Sequence, residues 1–256
     1  MTKRKAPYKR GATKPRKDAS IEEIPDIVTR NNIDRNFDIV AKYKLTDVHK
    51  SFTELCFNND TKIAFVDGPA GTAKTYCAAY TALHMLKSHR VDEVIYIRSI
   101  IESASKSMGS LPGEVDDKFL PWTLPLQEKL NELISTATIS NLFDTNTVKA
   151  VPVNYVRGLT FKDSVVIVDE AQNATETQIK MFLTRIGENS KLVVNGDPSQ
   201  IDLINKSQSG LIKSKNILKY LKEIKIIEFD HNDVVRHPLV SKIIRAYQKK
   251  STDDQN

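Results

Sequence analysis

The sequence predicts an α/β fold on a mostly parallel central sheet, and three observations predict it. Short apolar runs at 63–67, 94–98, 150–153, 165–169, 191–195 and 224–229 have strand length. Longer stretches at about 46–57, 74–88, 118–135, 175–186 and 238–248 carry helical spacing and alternate with them. Strands separated by helices of that length form βαβ units, whose crossovers give parallel neighbours. Third, Val165-Val166-Ile167-Val168 is apolar without alternation, as befits a central strand buried on both faces.

The chain of 256 residues is 40% hydrophobic, enough for a sizeable core, and carries a net charge of +6. That charge is concentrated at one end. Residues 1–17 hold eight of the 38 Lys and Arg residues and no acid, leaving 30 basic against 32 acidic residues in the body. With Pro7, Gly11 and Pro15 and no aliphatic run, residues 1–18 are expected to be a disordered basic arm. Such an arm suits either salt-sensitive contact with nucleic-acid phosphates or simple solubilisation. Residues 19–45 read as a linker that packs on the domain or on a neighbouring subunit, 46–248 as the folded domain, and 249–256 as a flexible tail.

No run approaches the roughly 18 apolar residues of a membrane helix, and no apolar segment follows the N-terminus. Cys56 and Cys77 lack metal-ligand spacing and read as reduced, buried thiols. A cytoplasmic protein is the expectation.

The first predicted strand runs straight into Gly68-Pro69-Ala70-Gly71-Thr72-Ala73-Lys74-Thr75, and a helix follows. A Gly-rich turn there points several backbone N–H groups at one spot, and the helix N-terminus adds partial positive charge, so the loop suits a phosphate chain. Lys74 can reach the outer phosphates, and the Thr75 hydroxyl can join the coordination sphere of Mg²⁺. Ala73 stands where the G-x-x-x-x-G-K-[ST] pattern has its second Gly.

At the C-terminal end of the fourth predicted strand, Asp169 and Glu170 lie where α/β sheets hold their ligands. Asp169 is suited to hold Mg²⁺, directly or through water. Glu170 is expected to point the other way along the strand tip, to orient or activate an attacking water. The fifth strand leads into Gly196-Asp197-Pro198-Ser199-Gln200, where a tight turn would bring Asp197 and Gln200 to the phosphate pocket. An amide there senses a γ-phosphate or positions the lytic water without titrating. Thr175-Glu176-Thr177-Gln178 has capping-box spacing, and Ile179, Phe182, Leu183 and Ile186 mark one apolar helix face. Between the second and third strands, 102–125 is expected to be an irregular insertion containing Trp122, with Lys106 and Lys118 as solvated or phosphate-contacting cations.

These motifs, with Arg157-Gly158-Leu159-Thr160-Phe161, Phe182-Leu183-Thr184-Arg185-Ile186-Gly187, Ser209-Gly210-Leu211, Leu111-Pro112-Gly113 and Asp233-Val234-Val235-Arg236-His237, occur in an order that resembles the PhoH-like P-loop ATPases over about residues 46–248. That family is similar to the first RecA-like domain of superfamily 1 helicases. The resemblance implies a RecA-like P-loop domain, Mg²⁺-dependent ATP hydrolysis, association with single-stranded RNA or DNA, and a homo-oligomeric ring, commonly a hexamer. The compact form implies a phage or bacterial cytoplasmic origin. It also places His49 where many members have a Gln that reads adenine, and makes Arg236 the candidate for a transition-state cation supplied by a neighbouring subunit, with Arg157 and Arg98 behind it. The nucleotide-binding set is thus Gly68 to Thr75 with His49, the metal set Thr75 and Asp169, and the catalytic set Lys74, Glu170, Gln200 and Arg236. A second reading is an ATP-binding assembly or regulatory module with negligible turnover. A small-molecule phosphotransferase is disfavoured, because the Asp-Glu-Ala-Gln strand end suits water activation better than acceptor binding.

Overall fold

A computed structural model describes residues 35–99, 115–235 and 239, with backbone alone for 115–121. The elements in order are α1 (Asp47–Phe57), β1 (Ile63–Asp67), α2 (Lys74–Lys87), β2 (Glu93–Arg98), α3 (Val115–Asn131), α4 (Thr136–Asp144), β3 (Val148–Ala150), β4 (Ser164–Asp169), α5 (Glu176–Leu183), β5 (Lys191–Gly196), α6 (Leu211–Leu218) and β6 (Ile224–Glu228). The six strands form one sheet in the order β3-β2-β4-β5-β1-β6, and every neighbouring pair is parallel. This is the predicted α/β class.

The sheet divides the core in two, and the pleat decides which residue goes where. Val165 and Ile167 join the cluster under α1, α2, α3 and α4, while Val166 and Val168 join the one under α5. Successive side chains point to opposite faces, so a strand covered on both sides must be apolar throughout. That is why β4 shows no polar alternation.

The order of the strands also builds the site. β5 lies between β1 and β4, with Asp67 opposite Gly196 and Val168 opposite Val194. The three motif-bearing strand ends are therefore consecutive tips on one edge.

Several expectations need revision. The strand foreseen at 150–153 is β3, Val148–Ala150, and Val153–Tyr155 is a single 3-10 turn. The stretch 102–125 is helical from Val115 onward, despite Pro121 and Pro125. Each proline removes one helical hydrogen bond, but Trp122, Leu126 and Leu130 are buried, and that burial outweighs the loss. Two helices were not foreseen. In α4 the Ser135 hydroxyl accepts the Thr138 N–H at 3.2 Å, and only Ile139 and Leu142 are buried, a thin periodic signal. In α6 only Leu211 and Ser214 are buried.

Residues 35–45, read as linker, run along this same unit without regular structure. Phe37 is buried in the core, the Val40 N–H donates to the Leu133 carbonyl at 2.8 Å, and Arg35 pairs with Asp92 at 2.8 Å. The basic arm, Lys106, the helix expected at 238–248 apart from Leu239, and the C-terminal tail lie outside the described residues.

Candidate functional site

The loop after β1 turns into α2 through Ala73, whose φ of 61° and ψ of 26° are left-handed. A side chain bearing Cβ costs roughly 1–2 kcal/mol there. This explains the Gly in the general pattern and shows what its replacement by Ala costs: backbone strain at the helix entry. The Lys74 ammonium donates to the Gly68 and Pro69 carbonyls at 2.5 and 3.0 Å, curling back over its own loop. The Thr72 hydroxyl donates to the Pro69 carbonyl at 2.9 Å.

Thr75, on the first turn of α2, donates to both oxygens of Asp169 at 3.0 and 3.1 Å. Loop and β4 tip are thereby joined across the intervening β5. Behind Asp169 stands Tyr96, whose hydroxyl donates to Oδ2 at 2.7 Å. Burial, reinforced by the adjacent Asp169 charge, pushes the Tyr96 phenol well above its ordinary range. It therefore remains a donor.

Glu170 is left-handed, with φ 54° and ψ 38°. That breaks strand alternation, so Asp169 and Glu170 line the same cavity instead of opposite sides of the tip. Backbone strain of this kind collects at functional sites, and here it occurs at both Ala73 and Glu170. The Glu170 carboxylate is held on two sides. Gln172 donates to Oε2 at 2.7 Å, and Arg98 approaches Oε1 at 3.9 Å.

Gln172 is almost wholly buried, and its Oε1 accepts the Asp197 N–H at 3.0 Å. One amide thus fixes the β4 and β5 tips relative to each other. Gly196 makes this approach feasible: a Cβ there would sit 2.3 Å from Leu211 Cδ2 and 3.3 Å from the Gln172 oxygen. Asp197 accepts the Ser199 N–H and hydroxyl at 2.9 and 2.6 Å, and Gln200 donates to its other oxygen. Asp197 and Gln200 line the cavity, which measures about 370 Å³.

His49 does not line it. Its ring is fully buried beneath the loop, where Nδ1 accepts the Thr46 N–H at 3.2 Å and Nε2 meets the Thr72 carbonyl at 3.0 Å. An accepting Nδ1 leaves the proton on Nε2, so the neutral ring donates to Thr72. Burial lowers its pKa, opposed by the Thr72 hydrogen bond and the Asp233 charge. Both nitrogens are committed, and the expected base-reading edge is replaced by a strut under the phosphate loop. Arg157 is exposed on a turn, and Arg236 lies outside the described residues.

Among the described residues no group of three or more His, Cys, Asp or Glu side chains could hold a metal. The Thr75 hydroxyl and Asp169 carboxylate are hard oxygens converging on one point, the donor type Mg²⁺ takes together with phosphate and water. The residues fit that ion.

Residues 45–248 match the family described as PhoH-like protein. The chain belongs to the PhoH-like family. It is 44% identical over 189 residues to the PhoH-like protein of Bacillus subtilis strain 168, covering 74% of this chain and 59% of that one. Identity is 42% over 187 residues to a PhoH-like protein of Mycobacterium tuberculosis H37Rv, covering 73% and 53%. It is 36% over 188 residues to Protein PhoH of Escherichia coli K12, again covering 73% and 53%. The PhoH-like chain thus spans little more than half the length of these relatives. The PhoH-like family is a P-loop ATPase family. Two residues of the site went unassigned in the sequence. Tyr96 looks there like any strand aromatic, whereas Gln172 sits inside the quoted motif without a role.

Proposed function

We propose that this PhoH-like domain is a Mg²⁺-dependent ATPase that works in a homo-oligomeric ring on single-stranded RNA or DNA. The observation carrying the proposal is the Thr75–Asp169 bridge at 3.0 Å, with Glu170 on the same cavity wall. The loop N–H groups and Lys74 bind the triphosphate. Mg²⁺ held by Thr75 and Asp169 would neutralise charge developing on the transferred phosphoryl group. Glu170, oriented by Gln172, positions and deprotonates the attacking water, and Gln200 lies beside the γ-phosphate. Arg236 of a neighbouring subunit is our candidate for the remaining cation, an element worth about 10³–10⁵ in rate.

The test is ATP turnover with and without single-stranded RNA or DNA, wild type beside Glu170→Gln, together with native mass under nucleotide. Turnover lost in Glu170→Gln, stimulated by a polymer and accompanied by an oligomer fits the proposal. A strict monomer under ATP overturns the trans-arginine element. No polymer binding at low salt overturns the nucleic-acid element. The strained Ala73 favours a second reading, a nucleotide-binding module of negligible turnover, which wild-type turnover equal to Glu170→Gln would establish.

A further inference from the structure

The cavity has a second end that the phosphate chemistry does not use. One residue beyond Thr75, Tyr76 begins an aromatic and charged wall completed by Tyr43, Lys129 and Glu132. The Tyr76 hydroxyl accepts the Lys42 N–H at 3.0 Å, which pins the 35–46 segment to α2. Tyr43 meets the Tyr76 ring edge-on, with centroids 5.0 Å apart and planes at 71°, and its ring is only half-buried. Opposite, Glu132 Oε1 accepts from Lys129 at 2.9 Å, while Oε2 is buried and has no hydrogen-bond partner. A buried carboxylate oxygen without a donor is costly. Glu132 lines the ligand cavity and its side chain is 18% exposed, so rotation of the carboxylate turns this acceptor toward a ligand N–H or O–H.

We infer that Tyr43 and Glu132 form the nucleoside end of the site. The Tyr43 ring lies against the base, and the Glu132 carboxylate, turned toward the cavity that it lines, accepts from a hydrogen-bond donor of the base or sugar. The inference rests on the nucleotide-binding reading above and moves base recognition from His49 to residues that line the cavity. A ring face stacks on any base, so Tyr43 supplies affinity and Glu132 supplies selectivity. A hydrogen bond to a charged acceptor corresponds to about tenfold or more in affinity.

The experiment measures binding of ATP, 2′-deoxyATP, inosine triphosphate and inorganic triphosphate with Mg²⁺ to the full chain. Wild type, Glu132→Ala, Tyr43→Ala and Tyr43→Phe are compared. Expected are a loss of about tenfold or more for ATP in Glu132→Ala, unchanged inorganic triphosphate affinity, and Tyr43→Phe near wild type with Tyr43→Ala weakened. Whichever of 2′-deoxyATP or inosine triphosphate binds wild type weakly, and shows no further loss in Glu132→Ala, identifies the donor read. Equal losses for ATP and inorganic triphosphate, or ATP affinity unchanged in both alanine variants, overturn the inference while leaving the nucleotide site standing. Wild type that binds neither ATP nor inorganic triphosphate overturns both.

Discussion

Tyr96 donates its hydroxyl to Asp169 Oδ2 at 2.7 Å from the neighbouring strand. Tyr96 pairs with Ile167, two residues before Asp169, so the two side chains share a face and meet diagonally. Asp169 accepts from Tyr96 behind and from Thr75 in front, which fixes the carboxylate where a metal ligand is needed.

Tyr96→Phe removes that donor and leaves its oxygen buried beside a ring edge. Outer partners of metal ligands are typically worth about 10–100-fold in metal affinity. Titration of Mg²⁺ against ATP turnover should show a higher Mg²⁺ requirement with ATP affinity at saturating metal nearly unchanged.

Glu170→Gln should lower kcat by about 10²–10⁴, the range for general acid–base catalysis. Gln172→Leu should lower it less, because Glu170 keeps its chemistry and loses only the 2.7 Å tether. Steady-state kinetics checks both. The kcat of Gln172→Leu should fall between wild type and Glu170→Gln, with KM for ATP little moved.

Ala73→Gly should stabilise the fold. At φ 61° the methyl is a burden that Gly does not carry, and relief of roughly 1–2 kcal/mol exceeds the 0.4–1 kcal/mol that Gly restores to the unfolded chain. Urea denaturation should show a higher midpoint with an unchanged slope. Ala73→Val should move the midpoint down and weaken nucleotide binding.

His49 gives stability a pH dependence of definite sign. Its folded pKa is below the ordinary 6.5, so its contribution is complete above pH 6.5 and is lost as pH falls below that value. Acid would place a proton on Nδ1, where the Thr46 N–H already points. Urea midpoints from pH 7.5 to 5 should decline in wild type, and the decline should be shallower in His49→Asn. The charge of Asp233, which is joined to Thr46 Oγ1 at 2.6 Å, opposes the shift.

Lys215 forms an ion pair with Asp67 at the end of β1, just before the phosphate loop, and lies 3.5 Å from Glu228. Lys215→Met strands a carboxylate that is only 9% exposed. Breaking such a pair from one side costs about 3–5 kcal/mol. Replacing Asp67 by Asn at the same time should recover much of that loss in urea denaturation.

The three strand ends were legible because each announces itself locally: a Gly-rich turn, an acidic strand tip, a Gly-Asp-Pro turn. Their adjacency follows from β5 lying between β1 and β4, which no single motif encodes. Tyr96 and Gln172 were not legible as parts of the site. Their roles depend on strand register and on the left-handed turn at Glu170, and a strand tyrosine or a buried amide has many other uses. The direction of the His49 ring was not legible, because position along the chain does not say which way a ring faces when its own helix cap claims one nitrogen. The helices α4 and α6 escaped notice because each buries only two residues.

The phosphate loop is supported from both ends of the described chain. His49 braces Thr72, Val235 donates to the Gly71 carbonyl at 3.2 Å, and Thr46 reaches Asp233 across 187 positions. Contacts so distant in sequence close late, since the entropy of the intervening loop must be overcome first. During synthesis, a chain that has already made its loop and both acidic strand ends still lacks these braces until Asp233 and Val235 have emerged. Nucleotide competence would then be acquired near the completion of this domain, making ligand capture a late report on folding.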